Sequence, residues 1–552
     1  MKMMTKGLLV AGVACAMALC ADAAVRKKAI GCGWCFNSTT VDDFLANADA
    51  FDKVGLDGVL VWLRGRDGKG KAVGMRNIYT EDWSYEMFAP MVPKLKKMTA
   101  HRAFRHNFLI TFRSPRKRIA WTDDAAWARL GENMRVAACI ARDGGCRGLQ
   151  MDTEDYSRAW QFVRAPNDPP YDELCQMARR RGAEVFRGVF AEYPDAAVLS
   201  FWLLTMGNDK CPANSVESSV RGRHSLWPAF VNGMLDVISP GARLVDGNEY
   251  AYRYDADRND FYRSACHVRH SLVRLVAPEN REKYARQVQA GFGLYLDMYV
   301  NAEDSSWYFP PKDGSRTETF RRNLEQALDA ADEFVWIYGE KLQFVKWKPD
   351  FRIAEGTLPE RWEDRLPGLY DVIFSATDPA AFARHRRSEM EASGVWTNLV
   401  ANGDCADCKA GAVPKPFESW QPGKKENHRG SFGCDTTFGE GDSTSLCAEG
   451  VPSGCFAYRQ KGVKPGELYL LKCSASGGVT SASAVWKNAS GQYLKMVPLY
   501  MPFGKEEGRW RQGELVVRVP TDAVELQFTL GVGLAPGEKA WYDSIGVFPL
   551  RR

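Results

Sequence analysis

Gly148-Leu149-Gln150-Met151-Asp152-Thr153-Glu154-Asp155-Tyr156 is a short, largely apolar run that ends abruptly in three acids and an aromatic ring. A buried strand that delivers carboxylates to a site reads this way. Strand side chains alternate faces, so Asp152 and Glu154 are expected on one face and Thr153 and Asp155 on the other. Two carboxyl groups would then share one small volume. Such crowding raises the pKa of at least one of them and lets an acid and a carboxylate coexist near neutral pH. A solvated strand end with a helix-capping Asp or Thr is the plain alternative.

Working outward, strand patterns fall at 29–33, 58–63, 107–111, 148–152, 197–204, 243–245, 293–299 and 333–338. Helical patterns separate them at 41–54, 124–142, 171–193, 226–238, 281–289 and 318–331. Eight β-α units in series predict an α/β chain with a closed parallel (β/α)8 TIM-type barrel, because βαβ crossovers put every helix outside. The barrel is expected over 26–393, with a linker segment at 348–393 that opens Pro-rich and charged. An open doubly wound sheet is the alternative, but no G-x-G-x-x-G turn follows the first strand.

Chemistry in such a barrel sits at the C-terminal ends of the strands. Strand two ends in Trp62 and Arg64, strand three in Arg113, and strand four in Asp152, Glu154 and Tyr156. Strand six leads into Asp246, Glu249 and Tyr250, strand seven closes with Asp297 and Tyr299, and strand eight with Tyr338, Gly339 and Glu340. Carboxylates, rings and arginines therefore recur where one cleft would open. Arg113, Arg116, Lys117 and Arg118 follow strand three and would hold anionic groups at the cleft mouth, a solvated basic loop being the bland reading.

The pattern changes at Gly394. Short alternating strands at 468–473, 481–486, 514–519 and 524–530, parted by Gly/Pro turns, predict a separate all-β jelly-roll sandwich over 394–552. It carries Cys405, Cys408, Cys434, Cys447, Cys455 and Cys473, an even six that fits disulfides in an exported chain. Cys32 and Cys35 share the C-x-x-C spacing of Cys405 and Cys408, with no thioredoxin or zinc context around either pair. No metal and no cofactor are expected.

Residues 1–23 have a basic start, an apolar core and Ala21-Asp22-Ala23, which predicts a cleaved secretory signal and a secreted or periplasmic protein. Lipid anchoring at Cys20 is disfavoured because Met17-Ala18-Leu19 lacks the small residue expected beside a lipidated Cys. No later apolar run approaches the roughly 18–20 residues of a bilayer span. Loss of the signal lowers the formal net charge from +5 to +4, too mild for a nucleic-acid binder. Aromatic residues make up 12% of the chain, with 17 Trp and 20 Tyr, a supply of flat platforms of the kind that hold sugars.

Asn398-Leu399-Val400-Ala401-Asn402-Gly403 and Trp541-Tyr542-Asp543-Ser544-Ile545 resemble the first and last strands of galactose-binding-like β-sandwiches, the jelly-roll carbohydrate-binding modules of polysaccharide enzymes. The barrel, through Asp152-Thr153-Glu154 and Asp246-Gly247-Asn248-Glu249-Tyr250, resembles a glycoside hydrolase catalytic domain of the (β/α)8 kind and matches no single family. One large group of such barrels has Asn-Glu after strand four and Glu after strand seven; here stand Asp-Thr-Glu and Asp297. Another uses an Asp nucleophile after strand four and an Asp acid/base after strand six, which maps more readily onto Asp152 with Asp246 or Glu249.

The resemblance implies cleavage of glycosidic bonds in a polysaccharide or glycan by two carboxylates. Asp152 is the nucleophile or base and Glu249 the general acid, with Glu154 the rival for either role. Asp297 and Glu340 would bind hydroxyls or tune pKa, and Trp62, Tyr156, Tyr250 and Tyr299 would form stacking walls. The competing reading is a carbohydrate-binding surface protein on a hydrolase-like barrel without chemistry. An ester hydrolase fits less well: there is no G-x-S-x-G elbow, and His267 and His270 have ordinary helix-surface spacing.

Overall fold

The computed structural model describes residues 26–206, 225–312, 314–347, 353–441, 443–494 and 498–550. The expected signal at 1–23 and Cys211 lie outside the described residues. Nine parallel strands form one sheet: β1 (Lys28–Gly33), β2 (Gly58–Trp62), β3 (Phe108–Phe112), β4 (Gly148–Met151), β5 (Ala197–Ser200), β6 (Arg243–Asp246), β7 (Val288–Ala290), β8 (Phe292–Tyr295) and β9 (Phe334–Gly339). Their order across the sheet is β8-β9-β1-β2-β3-β4-β5-β6-β7.

The two edge strands, β7 and β8, are consecutive in the chain and parted only by Gly291, so the sheet curls until its edges adjoin. The architecture is a parallel, barrel-like sheet with nine strands where eight are expected from the sequence. The difference arises at 288–290, just past the helix Arg281–Gln287, where the chain pairs with β6 as β7; beyond Gly291 it pairs with β9 as β8, and the strand expected at 293–299 ends at Tyr295 and coils into a 3-10 turn at Leu296–Tyr299. Nearly every strand position is buried, as a parallel sheet covered by helices requires.

The pattern at 41–54 forms two short helices, Val41–Ala46 and Ala48–Asp52, and the strand expected at 197–204 stops at Ser200. The long helices Asp124–Asp143 and Tyr171–Glu192 match their amphipathic patterns closely. Asp123 starts the first of them by accepting the Ala126 N–H at 3.0 Å.

Large rings fill the interior of the curled sheet. Phe108 meets Phe334 edge to face at 5.3 Å, and Trp336 stacks on Phe201 at 3.9 Å while its indole N–H donates to the Gly247 carbonyl at 2.8 Å. Such a ring fits only because its neighbours lack side chains: a Cβ on Gly293 would stand 2.6 Å from Trp336. Below the rings, at the N-terminal edge of the strands, Lys28 Nζ lies 2.8 Å from Glu333 Oε1, both side chains about nine-tenths buried.

The chain divides into two compact units, the second beginning at Pro379 with the helix Pro379–Ala392. This unit holds two antiparallel sheets. One has Glu418–Trp420, Gly454–Lys461, Glu525–Gly533, Val479–Lys487 and Leu499–Tyr500 in that spatial order. The other has Ser431–Asp435, Ser445–Glu449, Lys539–Pro549, Leu468–Gly477, Trp510–Arg518 and Phe503–Glu507. Phe456, Phe528 and Trp486 from the first sheet and Leu471, Tyr542 and Val547 from the second belong to one buried cluster.

The expectation that six cysteines pair off here is corrected. Cys408 bonds Cys434, and Cys447, Cys455 and Cys473 are free thiols among the described residues. Cys473 is an ordinary core residue with its sulfur 3.6 Å from Met501 Sδ. Cys447 and Cys455 lie on strands of different sheets.

Burial raises the pKa of Glu333, but the hydrogen bond and charge of Lys28 outweigh it and hold the carboxyl below its usual range. The stability this pair contributes is therefore complete above the unfolded-state value, about 4.3, and is lost as pH falls through the folded one. Glu333→Ala should strand the Lys28 ammonium and cost about 3 kcal/mol in urea unfolding at pH 7. Lys28→Met with Glu333→Leu should restore most of it.

Candidate active site

A cleft of about 2260 Å³ opens at the C-terminal edge of the parallel strands, lined from β1 to β9 by residues that include Cys32, Trp62, Ile110, Asp152, Glu249 and Glu340. Its size suits a chain of several units better than one small molecule. The ladder runs one residue past β4, where the Asp152 N–H donates to the Phe112 carbonyl at 2.8 Å. Asp152 Oδ1 then accepts the Glu154 N–H at 3.0 Å and turns the chain. Strand alternation therefore ends at Met151, and this turn is what keeps the two acids together. Thr153 is buried with its hydroxyl 3.4 Å from Met206 Sδ, and Asp155 caps the following turn through the Ala159 N–H at 3.0 Å.

Glu249 reaches the same volume from the end of β6. Asn248 adopts a left-handed φ of 36° and starts the 3-10 turn Glu249–Arg253, whose first N–H donates to the Phe201 carbonyl at 3.2 Å. Burial pushes all three carboxyls up. Repulsion from Asp152 adds to this in Glu154, whose pKa rises to about 6. Glu249, facing Glu154, Asp152 and Glu340, is raised well above the usual range. The Arg113 guanidinium and the Glu154 N–H oppose this rise in Asp152, and Tyr156, Trp202 and Arg113 oppose it in Glu154. Near neutral pH the cluster holds both an acid and a carboxylate.

Trp202 was not singled out from the sequence. Its indole N–H is buried and favours the charged forms of both Glu154 and Glu249, although it meets strict hydrogen-bond geometry with neither. Phe201-Trp202 directly follows β5, so the signal was a strand end hidden inside a strand predicted to run on to 204. Tyr252, Tyr295 and Trp307 were also missed and line the cleft beyond Glu249 together with Tyr338, which the sequence places at a strand end. Tyr252 lies parallel to Tyr338 at 5.9 Å and tilted on Tyr295 at 5.1 Å.

Of the remaining expected residues, Trp62, Arg64, Arg113, Tyr156, Tyr250 and Glu340 line the cleft. The Tyr156 hydroxyl donates to Glu154, and Tyr250 meets Trp202 edge to face at 4.4 Å. Asp246, Asp297 and Tyr299 stand behind its wall. Asp246 is fully buried and accepts the Thr205 N–H at 2.9 Å, the Thr205 hydroxyl at 2.5 Å and the Leu203 N–H at 3.3 Å, which pins the loop bearing Trp202. Asp297 Oδ2 accepts the Glu340 N–H at 2.8 Å and so places that residue. Tyr299 packs between Phe309 and Phe320, its hydroxyl accepting from Asn323 at 2.9 Å.

In the second unit, Trp420 is 59% exposed on an edge strand, while Trp486 and Trp510 are buried. Trp510 stacks on Phe438 at 5.3 Å.

No family model and no curated protein matches the chain. Among solved structures, the chain is similar to the enzymatically active domain of tailspike protein 4 from bacteriophage CBA120, at 20% identity and TM-score 0.22, over 28% of this chain and 21% of that one. A CBM4 structure shares 14% identity at TM-score 0.20 over 27% of this chain and 99% of its own. A TmCBM61 in complex with β-1,4-galactotriose shares 13% at TM-score 0.20 over 28% and 99%. Overlaps this slight carry no argument about the fold or function of the chain.

Asp246→Ala should free the 201–206 loop, remove the acceptor of four donors, the Leu203, Thr205 and Asn248 N–H groups and the Thr205 hydroxyl, and cost about 3 kcal/mol. The expected readouts are a lower unfolding midpoint and a red-shifted tryptophan emission from the folded state. An unchanged spectrum would mean that Trp202 is positioned without Asp246.

Proposed function

We propose that the chain is an exported glycoside hydrolase whose first unit is a (β/α)8 barrel, with β7 and β8 as one seventh strand broken at Gly291. The sandwich of the second unit, from about Gly394, is a carbohydrate-binding module. The reading rests on one observation: Asp152, Glu154 and Glu249 crowd together in a long cleft whose walls are aromatic. Crowding of carboxyls lowers stability, and a site that needs one proton donor and one carboxylate at the same pH accounts for it.

In this mechanism Glu249, kept protonated by burial and its acidic neighbours, delivers its proton to the glycosidic oxygen as the bond to the anomeric carbon breaks. Asp152, whose charged form Arg113 and the Glu154 N–H favour, either attacks the anomeric carbon to form a glycosyl ester that water then hydrolyses, or takes a proton from the water that attacks directly. The proton ends on the departing hydroxyl and the sugar gains a new reducing-end hydroxyl. Glu154 holds the field between them and is the rival for either role. Trp62, Tyr156, Tyr250 and the Tyr252–Tyr338 pair offer stacking faces, and Glu340 binds hydroxyls. Asp246, Asp297 and Tyr299 act by positioning other groups.

Asp152→Asn and Glu249→Gln should each lower turnover of the cleaved polymer by about 10²–10⁴-fold without lowering the unfolding midpoint, since each keeps the side chain's size while removing a group that is costly to ionise where it stands. The wild-type rate should rise with pH as Asp152 ionises and fall as Glu249 loses its proton. Glu249→Gln should abolish the alkaline limb. Reducing-end release from a polysaccharide panel makes the measurement. Binding with no release from any polymer would favour the non-catalytic reading.

A further inference from the structure

The cleft is charged unevenly around its rim. Loops after β4, β6 and β9 supply Asp152, Glu154, Glu249 and Glu340, whereas those after β2 and β3 supply Arg64, Arg66, Arg76, Arg113, Arg116 and Lys117. β2 and β3 are neighbours, so the six cations form one continuous arc. The Tyr79 hydroxyl donates to the Arg113 carbonyl and ties the two loops together.

Ordinary surface cations pair with acids or point away from one another. Lys94 takes Asp42 at 2.5 Å, and Arg118 takes Asp168 through both its terminal nitrogens. The six arc residues have no carboxylate within ion-pair distance among the described residues. Arg64 donates to the Asn37 carbonyl at 2.7 Å and Arg66 to the Gly70 carbonyl at 2.7 Å, contacts that hold the guanidinium groups without neutralising them. Arg64 is exposed, and its pKa is lowered first by desolvation and then by repulsion from Arg76, with Asp43 the opposing but weaker influence. Arg113 lies over the Trp62 ring at 5.1 Å, and its Nε and the neighbouring Ser114 hydroxyl are buried polar atoms with no hydrogen-bond partner in the described chain. The other acids on this side are Glu86, which is exposed, and Asp123, engaged as a helix cap.

We infer that the arc of Arg64, Arg66, Arg76, Arg113, Arg116 and Lys117 is an anion subsite for a glycan bearing sulfate esters or carboxylates. The inference rests on the glycan reading above and names its substrate class. Planar guanidinium groups with free donor edges match these oxyanions, and Arg113 between Trp62 and Asp152 places the charged sugar beside the bond to be cut. The acids on the opposite rim repel a continuous polyanion. A nucleic acid, charged at every unit, fits worse than a polymer whose charge hangs from particular sugars.

The test uses full-length Glu249→Gln protein and isothermal titration with paired polymers: a sulfated polysaccharide and its desulfated form, and a uronate polymer and its carboxyl-reduced form. The charged member of one pair should bind at least about tenfold more tightly, with the margin shrinking as salt is added. The responding pair identifies sulfate or carboxylate. Arg116→Ala with Lys117→Ala, on an exposed loop, and Arg76→Ala separately should each weaken the charged member by about tenfold. Equal affinity within both pairs, an equal loss on charged and neutral members, or equally tight binding of duplex DNA would overturn the subsite. Wild-type protein on the same polymers separates the two claims. Charge-selective binding without reducing-end release sinks the hydrolase and keeps the subsite, and equal cleavage of charged and neutral members does the reverse.

Discussion

Six parallel pairs, Lys28 with Phe334 through Gly33 with Gly339, join the first strand of the sheet to the last. The Lys28–Glu333 ion pair below them spans 305 positions of sequence. Every other feature of the first unit depends on this long-range ladder. It brings Cys32 and Trp62 at one end of the chain into the same cleft wall as Tyr338 and Glu340 at the other. It also encloses Trp336, whose packing on Phe201 and hydrogen bond to Gly247 connect β9 with the exits of β5 and β6. Contacts of such separation cost loop-closure entropy before they return any energy, so the interior rings must supply the compensating burial.

The cleft sets electrostatics against stability. Three buried carboxyls with raised pKa values bind protons more tightly in the folded than in the unfolded chain. Their contribution to stability therefore declines as pH rises from the unfolded carboxylate range through the folded values. Arg113 and Trp202 relieve part of this strain, each from a strand exit adjoining β4. The surrounding residues that do not reach the cleft have a mechanical role. Asp246 spends its hydrogen-bonding capacity on the 203–205 backbone and the Thr205 hydroxyl, and Asp297 on the Glu340 N–H.

The two units solve the problem of burial differently. The first fills a curled sheet with aromatic rings and covers it with helices. The second closes two sheets over a shared apolar layer, with one disulfide near its start. Thiols such as Cys473 are core hydrophobes there, which is the commoner use of a buried cysteine.

Much of this was legible from local pattern. Apolar runs bounded by amphipathic helices gave β1 to β6 and β9 to within a few residues, because burial on both faces leaves few polar positions in a parallel strand. The gathering of Asp152, Glu154 and Glu249 was also readable, since a parallel sheet puts all strand ends on one edge. Other outcomes needed the tertiary structure. Val288–Ala290, read in part as the end of a helix, is a separate strand before Gly291, because pairing with β6 on one side is visible only once the sheet has curled. Asp246 looks like a site residue and faces the 203–205 backbone, since only the packed loop reveals which donors surround a carboxylate. Trp202 and the tyrosines of the 250–338 region enter the cleft from strand exits whose positions shift with a residue or two of register. Composition and periodicity decide which segments are strands and which residues are charged; the direction a side chain faces is decided by what closes around it.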